Sequence, residues 1–305
     1  MNAFFRNAMV YRLSSEWTLS TAALTDQLER LRFSPGTSVQ TQSIGWVPAL
    51  EEGPLAHVVG GQILLTLRAE KKLLPASVVN QVAKARALEA EERQGYKPGR
   101  KQMKEIKEAV TEELIPKAFS IFRDTRIWID PVHRWLLIDT TSAAKAEEAI
   151  GVMSKTIDPF PLEMLQVPHS PANVMTGWLA ADEAPAGFTI DQDTELRATG
   201  DSRAAIRYVR QSIEAADVRR HIEEGKQCTR LALTWADRIS FVLTDTLALK
   251  RITPLDVMKE GDAGGDAVER FDSDFTLMAG ELSRLLADLV AAMGWQDPAA
   301  VALAA

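Results

Sequence analysis

A polar, helix-forming stretch that lies between two apolar, strand-forming runs constrains this chain more than any other feature. Residues 76–115 carry apolar side chains at helical spacing, and Gly95-Tyr96-Lys97-Pro98-Gly99 interrupts them after the first half. The flanking runs at 62–68 and 126–130 are short and apolar, as in buried strands. The pattern predicts a helical hairpin that is inserted between two strands and projects from the body.

Strand-like and helix-like patterns are mixed along the rest of the chain without βαβ regularity. The sequence therefore predicts an α+β fold with antiparallel sheets. The expected strands are 5–13, 62–68, a hairpin of 126–130 with 135–139, and a meander of 229–235, 238–243 and 247–252; the expected helices outside the insertion are 20–31, 143–154, 212–224 and 275–293.

Prolines at 159, 161, 168, 171 and 185 interrupt regular structure in the middle of the chain. We expect a domain junction there. The first domain then covers residues 1–168 and contains the inserted hairpin at 76–115, and the second covers 169–305 with the meander and the final helix.

The bulk composition limits the compartment and argues against nucleic acid. The single cysteine, Cys228, cannot form an intramolecular disulfide and is expected to be buried. The N-terminus lacks an apolar signal-peptide core, and no apolar stretch approaches the roughly 20 residues that span a bilayer, so a cytoplasmic location is expected. The net charge of −7 opposes phosphate binding unless the basic residues are gathered in one place.

Motifs for common chemistry are absent from the sequence. It contains no phosphate-binding Gly-rich loop, no nucleophile elbow, and no pair of histidines at i+3 or i+4 that could hold zinc. A magnesium-dependent nuclease would need gathered carboxylates. The candidates are Asp130, Asp139, Asp191, Asp193, Asp272 and Asp274. Structural interpretations explain them better: Asp130 precedes a turn proline, Asp191 and Asp193 are expected in a polar loop, and Asp272 and Asp274 just before the last helix.

Positive charge occurs in three local stretches. The first lies at the hairpin turn and second helix, the second is Lys117, Arg123 and Arg126 around Phe119, and the third runs through residues 203–230. Solvated helix faces with i,i+4 ion pairs explain much of this pattern. The segment from 203 to 210 differs because it holds three arginines and no acid.

Several motifs, in order along the chain, resemble the recombination-associated RdgC family. The opening Phe5-Arg6-Asn7-Ala8-Met9-Val10-Tyr11-Arg12-Leu13 is followed by Gly45-Trp46-Val47-Pro48 and by Leu114-Ile115-Pro116-Lys117-Ala118-Phe119-Ser120 with Trp128-Ile129-Asp130. Later come His221-Ile222-Glu223-Glu224-Gly225-Lys226 and Arg270-Phe271-Asp272-Ser273-Asp274-Phe275. The matches run from the first residues to the last helix, which is more specific than any single motif.

The resemblance implies a ring-shaped homodimer of a nucleoid-associated protein. Members of the family encircle double-stranded DNA with little sequence preference and restrain RecA-driven strand exchange in the cytoplasm. We expect no metal or other cofactor, because the sequence carries no motif for one. An exonuclease label also goes with the family. A ring would explain the acidic composition, because only its inner surface needs to be positive.

Carried over residue by residue, the resemblance implies that Phe119 contacts the partner subunit and that Arg210 and Gln211 contact DNA. The family often has lysine at the first of these two DNA positions, and arginine keeps the charge with good phosphate geometry. The surrounding Ile206-Arg207-Tyr208-Val209 departs from a more lysine-rich pattern, which leaves the neighbouring contacts open. Local charge adds Arg207, Lys117, Arg123 and Lys226 as candidate DNA contacts.

The sequence therefore predicts a DNA clamp without catalytic residues, and two alternatives stay open. One is a metal-dependent DNA exonuclease, in which Asp130 and Asp139 would be the residues to test. The other is a regulator that acts on RecA directly, with DNA binding incidental.

Overall fold

A computed structural model describes residues 3–14, 16–200, 204–209, 215–258 and 265–295. Two antiparallel sheets and seven α-helices account for most of this part of the chain. None of the helices in these ranges is both long enough and apolar enough to cross a membrane.

The first sheet has seven strands and is built from the first half of the chain. Its path is β2-β4-β5-β6-β1-β7, and β3 pairs with β4 beyond the end of β2. Each pairing is antiparallel, and the longest connects ten residue pairs of β4 and β5. The strands are β1 (Met9–Leu13), β2 (Gln42–Val47), β3 (His57–Val59), β4 (Gln62–Lys72), β5 (Ser120–Asp130), β6 (Trp135–Ile138) and β7 (Leu162–Met164).

Helices α1 (Thr21–Glu29) and α4 (Ala143–Thr156) cover one face of this sheet. Their buried residues, such as Leu28 and Met153, share an apolar cluster with alternate strand residues such as Leu65 and Ile127. Because successive strand side chains point to opposite faces, the remaining apolar residues of the same strands point the other way. They join a second cluster.

The predicted helical hairpin is confirmed as α2 (Ala76–Gln94) and α3 (Arg100–Leu114), which pack against each other. Gly95 ends α2 with φ +79°, a left-handed conformation that favours glycine. The chain enters the hairpin from β4 and leaves it into β5, so two paired strands hold its base. The buried positions of α2 are Ala83 and Ala87, small residues that allow close packing.

The second sheet has five strands in the order β12-β11-β10-β8-β9. They are β8 (Phe188–Ala198), β9 (Ala205–Tyr208), β10 (Lys226–Trp235), β11 (Ile239–Thr244) and β12 (Leu249–Pro254). Helices α5 (Pro171–Ala181) and α6 (Ala215–Glu223) contact β10. Their buried residues Met175 and Val218 lie in the same cluster as Cys228, whose thiol pKa burial raises to about 12.

Helix α7 (Ala267–Ala292) contacts both sheets. Its Phe275 and Leu282 are buried in one cluster with Leu64 and Trp128 of the first sheet and Leu233 of the second. The N-terminal segment adds a backbone connection, because Ala8 pairs with Leu249 of β12 just before the chain enters β1. The two halves therefore share one apolar core.

The sequence predicted the mixed fold and its antiparallel sheets correctly, but several local assignments were wrong. The proline-rich stretch contains β7 and α5, since Pro171 occupies the first turn of the helix, where its missing N–H is not needed. Asp191 and Asp193 lie in β8 and not in a loop. Asp272 and Asp274 lie inside α7, which begins at Ala267 because Asp266 and Glu269 form a capping box.

Asp130 connects the turn after β5 to helix α7. Its fully buried carboxylate accepts hydrogen bonds from the backbone N–H groups of Val132 and His133, at 3.0 and 3.1 Å, and from Ser283 Oγ of α7 at 3.0 Å. Burial alone would raise the pKa of the Asp130 carboxyl, but the hydrogen bonds from His133 and Gln62 outweigh it and lower the pKa. These hydrogen bonds give Asp130 a structural role, in which it holds the turn after β5 against α7.

We expect Asp130→Ala to lower the free energy of unfolding by about 3 kcal/mol, because the substitution leaves several buried donors without an acceptor. Urea denaturation of the wild type and the variant measures the difference. Asp26→Ala removes an exposed carboxylate from α1 and serves as the control. Equal midpoints for the Asp130 and Asp26 variants would contradict the anchoring role.

Candidate nucleic-acid interface

The second sheet has a charged face opposite its apolar one. Charged residues occupy alternate positions of β8, namely Asp191, Asp193, Glu195 and Arg197. Alternate residues of a strand point to the same side, so these four share a face. The apolar side chains of the sheet pack toward α5, α6 and α7. The charged residues lie on the other side, where two surface depressions form.

Glu195 holds three arginines on this face. Arg207 of β9 and Arg230 of β10 are its partners across the strands on either side. The carboxylate accepts from Arg207 Nε at 2.5 Å and from Arg197 Nη2 at 3.0 Å, and Arg230 Nη1 lies 3.7 Å away. Glu195 is almost completely buried, whereas the three guanidinium groups remain about half exposed. A single buried carboxylate thus orients three exposed cations.

The charge state of Glu195 follows from its surroundings. Burial pushes the pKa of the carboxyl upward, but the hydrogen bonds from the Thr229 hydroxyl and Arg207, together with the charge of Arg230, hold it below its ordinary value. The carboxylate is therefore ionised at neutral pH and compensates one of the three positive charges.

Lys250 and Arg251 extend the positive charge along the face. Both line the depression that also contains Arg207 and Arg230, and Arg251 lines the adjoining one as well. With Arg197, five basic side chains accompany the three carboxylates of Asp191, Asp193 and Glu195. This face is therefore positive in a chain whose net charge is −7.

Phe119 lies just before β5, beside the base of the helical hairpin. Its side chain is 85% exposed. The backbone N–H of Leu73, another exposed apolar residue, donates to the Phe119 carbonyl at 2.7 Å. Two exposed apolar side chains therefore lie at neighbouring strand ends.

The candidate DNA contacts that were chosen from local charge do not form one cluster in the structure. Arg207 belongs to the Glu195 cluster. Lys117 is exposed and pairs with Glu113 at 3.1 Å, and Arg123 is exposed on β5. Lys226 is mostly buried, and its ammonium group lies 2.5 Å from Glu224 and 3.4 Å from His221. Arg210 and Gln211 lie outside the described residues.

Five of the six carboxylates weighed for a nuclease, all but Asp274, have hydrogen-bond or ion-pair partners of their own. Asp139 binds Arg126 at 2.9 Å, and Asp272 lies 2.8 Å from His57. Asp191 accepts from Thr234 at 2.8 Å, and Arg251 donates to Asp193 at 3.1 Å. Within the part of the chain that the structure describes, no three acidic, histidine or cysteine side chains form a metal-binding group.

Comparison with known proteins identifies the family. The family model described as "Putative exonuclease, RdgC" matches residues 3–296. A protein of Bordetella parapertussis named Recombination-associated protein RdgC is 64% identical over 293 residues, which cover 95% of this chain and 98% of that protein. This chain belongs to the RdgC family.

Two further RdgC proteins support the assignment. The one from Cupriavidus necator is 56% identical over 298 residues, covering 97% of this chain and all of that protein, and the one from Janthinobacterium is 57% identical over 293 residues. The resemblance seen in the sequence is thereby confirmed along nearly the whole chain. The relatives are named for recombination and not for an enzymatic activity.

Sequence interpretation missed Glu195 because β8 was not recognised as a strand. The signal was nevertheless present, since charged residues occur at 191, 193, 195 and 197 with period two. The partners of Glu195 were not detectable in this way, because Arg207 and Arg230 lie on other strands, 12 and 35 residues farther along the chain, and a local pattern does not show which strands pair.

We expect Glu195→Gln to lower the free energy of unfolding by about 2 kcal/mol at neutral pH, because three guanidinium groups lose their shared counter-charge. The folded-state pKa of Glu195 is depressed, so its contribution is present above the unfolded pKa of about 4.3 and is lost as the pH falls through the folded value. Urea denaturation of both proteins from pH 7 downward should therefore show converging stabilities. A difference that is constant with pH, or equal to that of the exposed Glu112→Gln, would contradict this role.

Proposed function

We propose that this protein binds double-stranded DNA without sequence preference as a homodimer that encircles it, and that it restrains RecA-dependent recombination in the nucleoid. The observation that carries the proposal is the positive face of the second sheet in an otherwise acidic chain. Five basic side chains gather there, three of them on one buried carboxylate.

The arrangement suits a phosphate backbone better than a small ligand. Arg197, Arg207 and Arg230 present planar donor groups that match phosphate oxygens. They come from three adjacent strands, and contacts to phosphates hold a duplex without reading its bases. A binding surface of this kind gives affinity with little sequence specificity.

Residues implied by the family complete the proposed DNA surface. Arg210 and Gln211 follow shortly after Arg207 in the sequence and are proposed contacts on the strength of the resemblance. Lys117 and Arg123, both exposed, are proposed contacts in the first half. Lys226 contributes its charge from a mostly buried position, so its proposed role is weaker than that of Arg207.

Dimer formation is proposed to involve Phe119. A two-fold interface uses the same surface on both subunits, so a residue of that surface contributes to the interface twice. Phe119 and Leu73 are exposed apolar residues of the type that interfaces bury. Enclosure of DNA by two subunits would place the basic minority inside and leave the acidic majority outside.

The role in recombination comes from the name that the relatives share. A protein that covers duplex DNA limits the access of RecA filaments by occupancy alone. Neither a cofactor nor a catalytic residue is part of this proposal.

We expect Arg207→Ala to weaken binding to duplexes of different sequence by the same factor, roughly fivefold, and to lower the dependence of affinity on salt. Fluorescence anisotropy with labelled duplexes at several salt concentrations measures both quantities. Arg207→Lys should recover most of the affinity. Arg30→Ala, which removes an exposed arginine at the end of α1, serves as the charge-matched control.

Unchanged affinity and salt dependence in Arg207→Ala would remove Arg207 from the surface, and absence of wild-type binding would refute the DNA clamp. Processive shortening of an end-labelled duplex in magnesium, abolished by Asp139→Ala, would favour the exonuclease instead. Inhibition of RecA that persists after DNA binding is abolished would favour direct action on RecA.

We expect Phe119→Ser to weaken the dimer by about tenfold or more, because an aromatic side chain at a two-fold interface is removed from both subunits. Sedimentation velocity across a range of protein concentrations measures the dissociation constant. Val132→Ser, in the turn between β5 and β6, removes another exposed apolar side chain and is the matched control. A dimer that is equally stable in both variants would exclude Phe119 from the interface.

A further inference from the structure

Arg251 occupies an unusual backbone position in β12. The pairing of β11 with β12 shifts between Ser240, opposite Thr253, and Val242, opposite Lys250, which makes a bulge. Arg251 lies in this bulge with φ +54°. Left-handed bulge positions are usually filled by glycine, because a side chain is disfavoured there.

Packing of the side chain does not explain why arginine occupies this position. The Arg251 side chain is 75% exposed, so it fills no cavity in the core. The backbone N–H donates to Asn7 Oδ1 at 3.3 Å, and any residue could make that contact, including glycine. Strained residues that persist without a packing role are candidates for function, and bulges often redirect a side chain.

The bulge places Arg251 at the junction of three surface clefts. Two of them are the depressions on the charged face of the second sheet. The third is a cleft of about 950 Å³ between the two halves of the molecule, which is lined by Arg251 and three other arginines, Arg6, Arg68 and Arg126, and by two carboxylates. Of these carboxylates, Asp124 pairs with Arg68 and Glu51 is the other. The carbonyl of Arg6 accepts from Ile252 N at 2.8 Å, so the two segments are held side by side.

The guanidinium group of Arg251 can bind a phosphate and keep its present partner. Its Nη1 donates to Asp193 at 3.1 Å. A guanidinium group carries five N–H donors, so one carboxylate contact leaves others for a second anion. Asp193 then orients the side chain, as Glu195 orients the arginines beside it.

We propose that Arg251 is a further DNA-contact residue, which joins the charged face of the second sheet to the cleft between the halves in one continuous path for the phosphate backbone. The proposal rests on the proposed function and adds to it a route across the boundary between the two halves. The occupant is a nucleic-acid backbone, because basic side chains outnumber acidic ones in two of these clefts, the depression that contains Arg207 and the cleft between the halves, and Arg251 lines both.

Arg251→Gly tests the proposal sharply, because it removes the charge while it relieves the left-handed conformation. We expect a thermal midpoint equal to or above that of the wild type, an unchanged dimer, and duplex affinity about tenfold lower at moderate salt. The slope of log affinity against log salt concentration is negative, and its magnitude should decrease by about 1 for each phosphate that is no longer bound. A dimer loses one contact in each subunit, so the decrease should be about 2. Arg251→Lys should retain most of the binding.

Arg134→Gly is the matched control. Arg134 is also an arginine in the left-handed region, with φ +60°, but it lies in the turn between β5 and β6 and lines none of the three clefts. Its substitution should leave DNA affinity and salt dependence unchanged.

Normal binding by Arg251→Gly, or equal losses of affinity in Arg251→Gly and Arg134→Gly, would overturn the proposal while the wild type still binds DNA. If the wild type itself does not bind duplex DNA, the proposed function fails, and this inference fails with it. If Arg251→Gly does not fold, Arg251→Gln keeps a side chain of similar length without charge, and the same two outcomes apply to it.

Discussion

The two sheets depend on helix α7, which packs against both of them. Its apolar residues lie in one cluster with Leu64 and Trp128 on one side and Leu233 on the other. Polar contacts fix the position of α7 relative to both sheets. Ser283 donates to Asp130 at the end of β5. Arg238, in the turn between β10 and β11, donates two hydrogen bonds to Glu281, at 2.9 and 2.8 Å. Glu281 is almost completely buried, and a second arginine, Arg284, also donates to it, so two arginines compensate its charge.

Coverage of one face of the second sheet by helices leaves the other face for charged residues. An antiparallel sheet with one face on the core can present a polar face on the other side. Here the polar face becomes a cluster, because neighbouring strands place Arg207 and Arg230 on either side of Glu195. The apolar packing beneath holds the strands in register and therefore also holds the arginines in their relative positions.

In the proposed function, the position of charge reconciles an acidic composition with a nucleic-acid ligand. A net charge of −7 is a property of the whole chain, whereas a phosphate responds to the charges within about 10 Å. A closed assembly would serve that function, since enclosure would bring the positive surface to the DNA and keep the acidic surface in solvent. In the proposed function, dimer formation is therefore part of the binding mechanism.

The sequence by itself determined the fold class, the helical hairpin and the family. These depend on local periodicity, on helix-breaking residues such as Gly95, and on motifs that can be read in order. It did not determine the Glu195 cluster or the position of Arg251. The first needs strands from separate parts of the chain to lie side by side, and the second needs a bulge that exists only when β11 and β12 pair. Local pattern fixes which segments become helices and strands, but only tertiary pairing decides which charges meet.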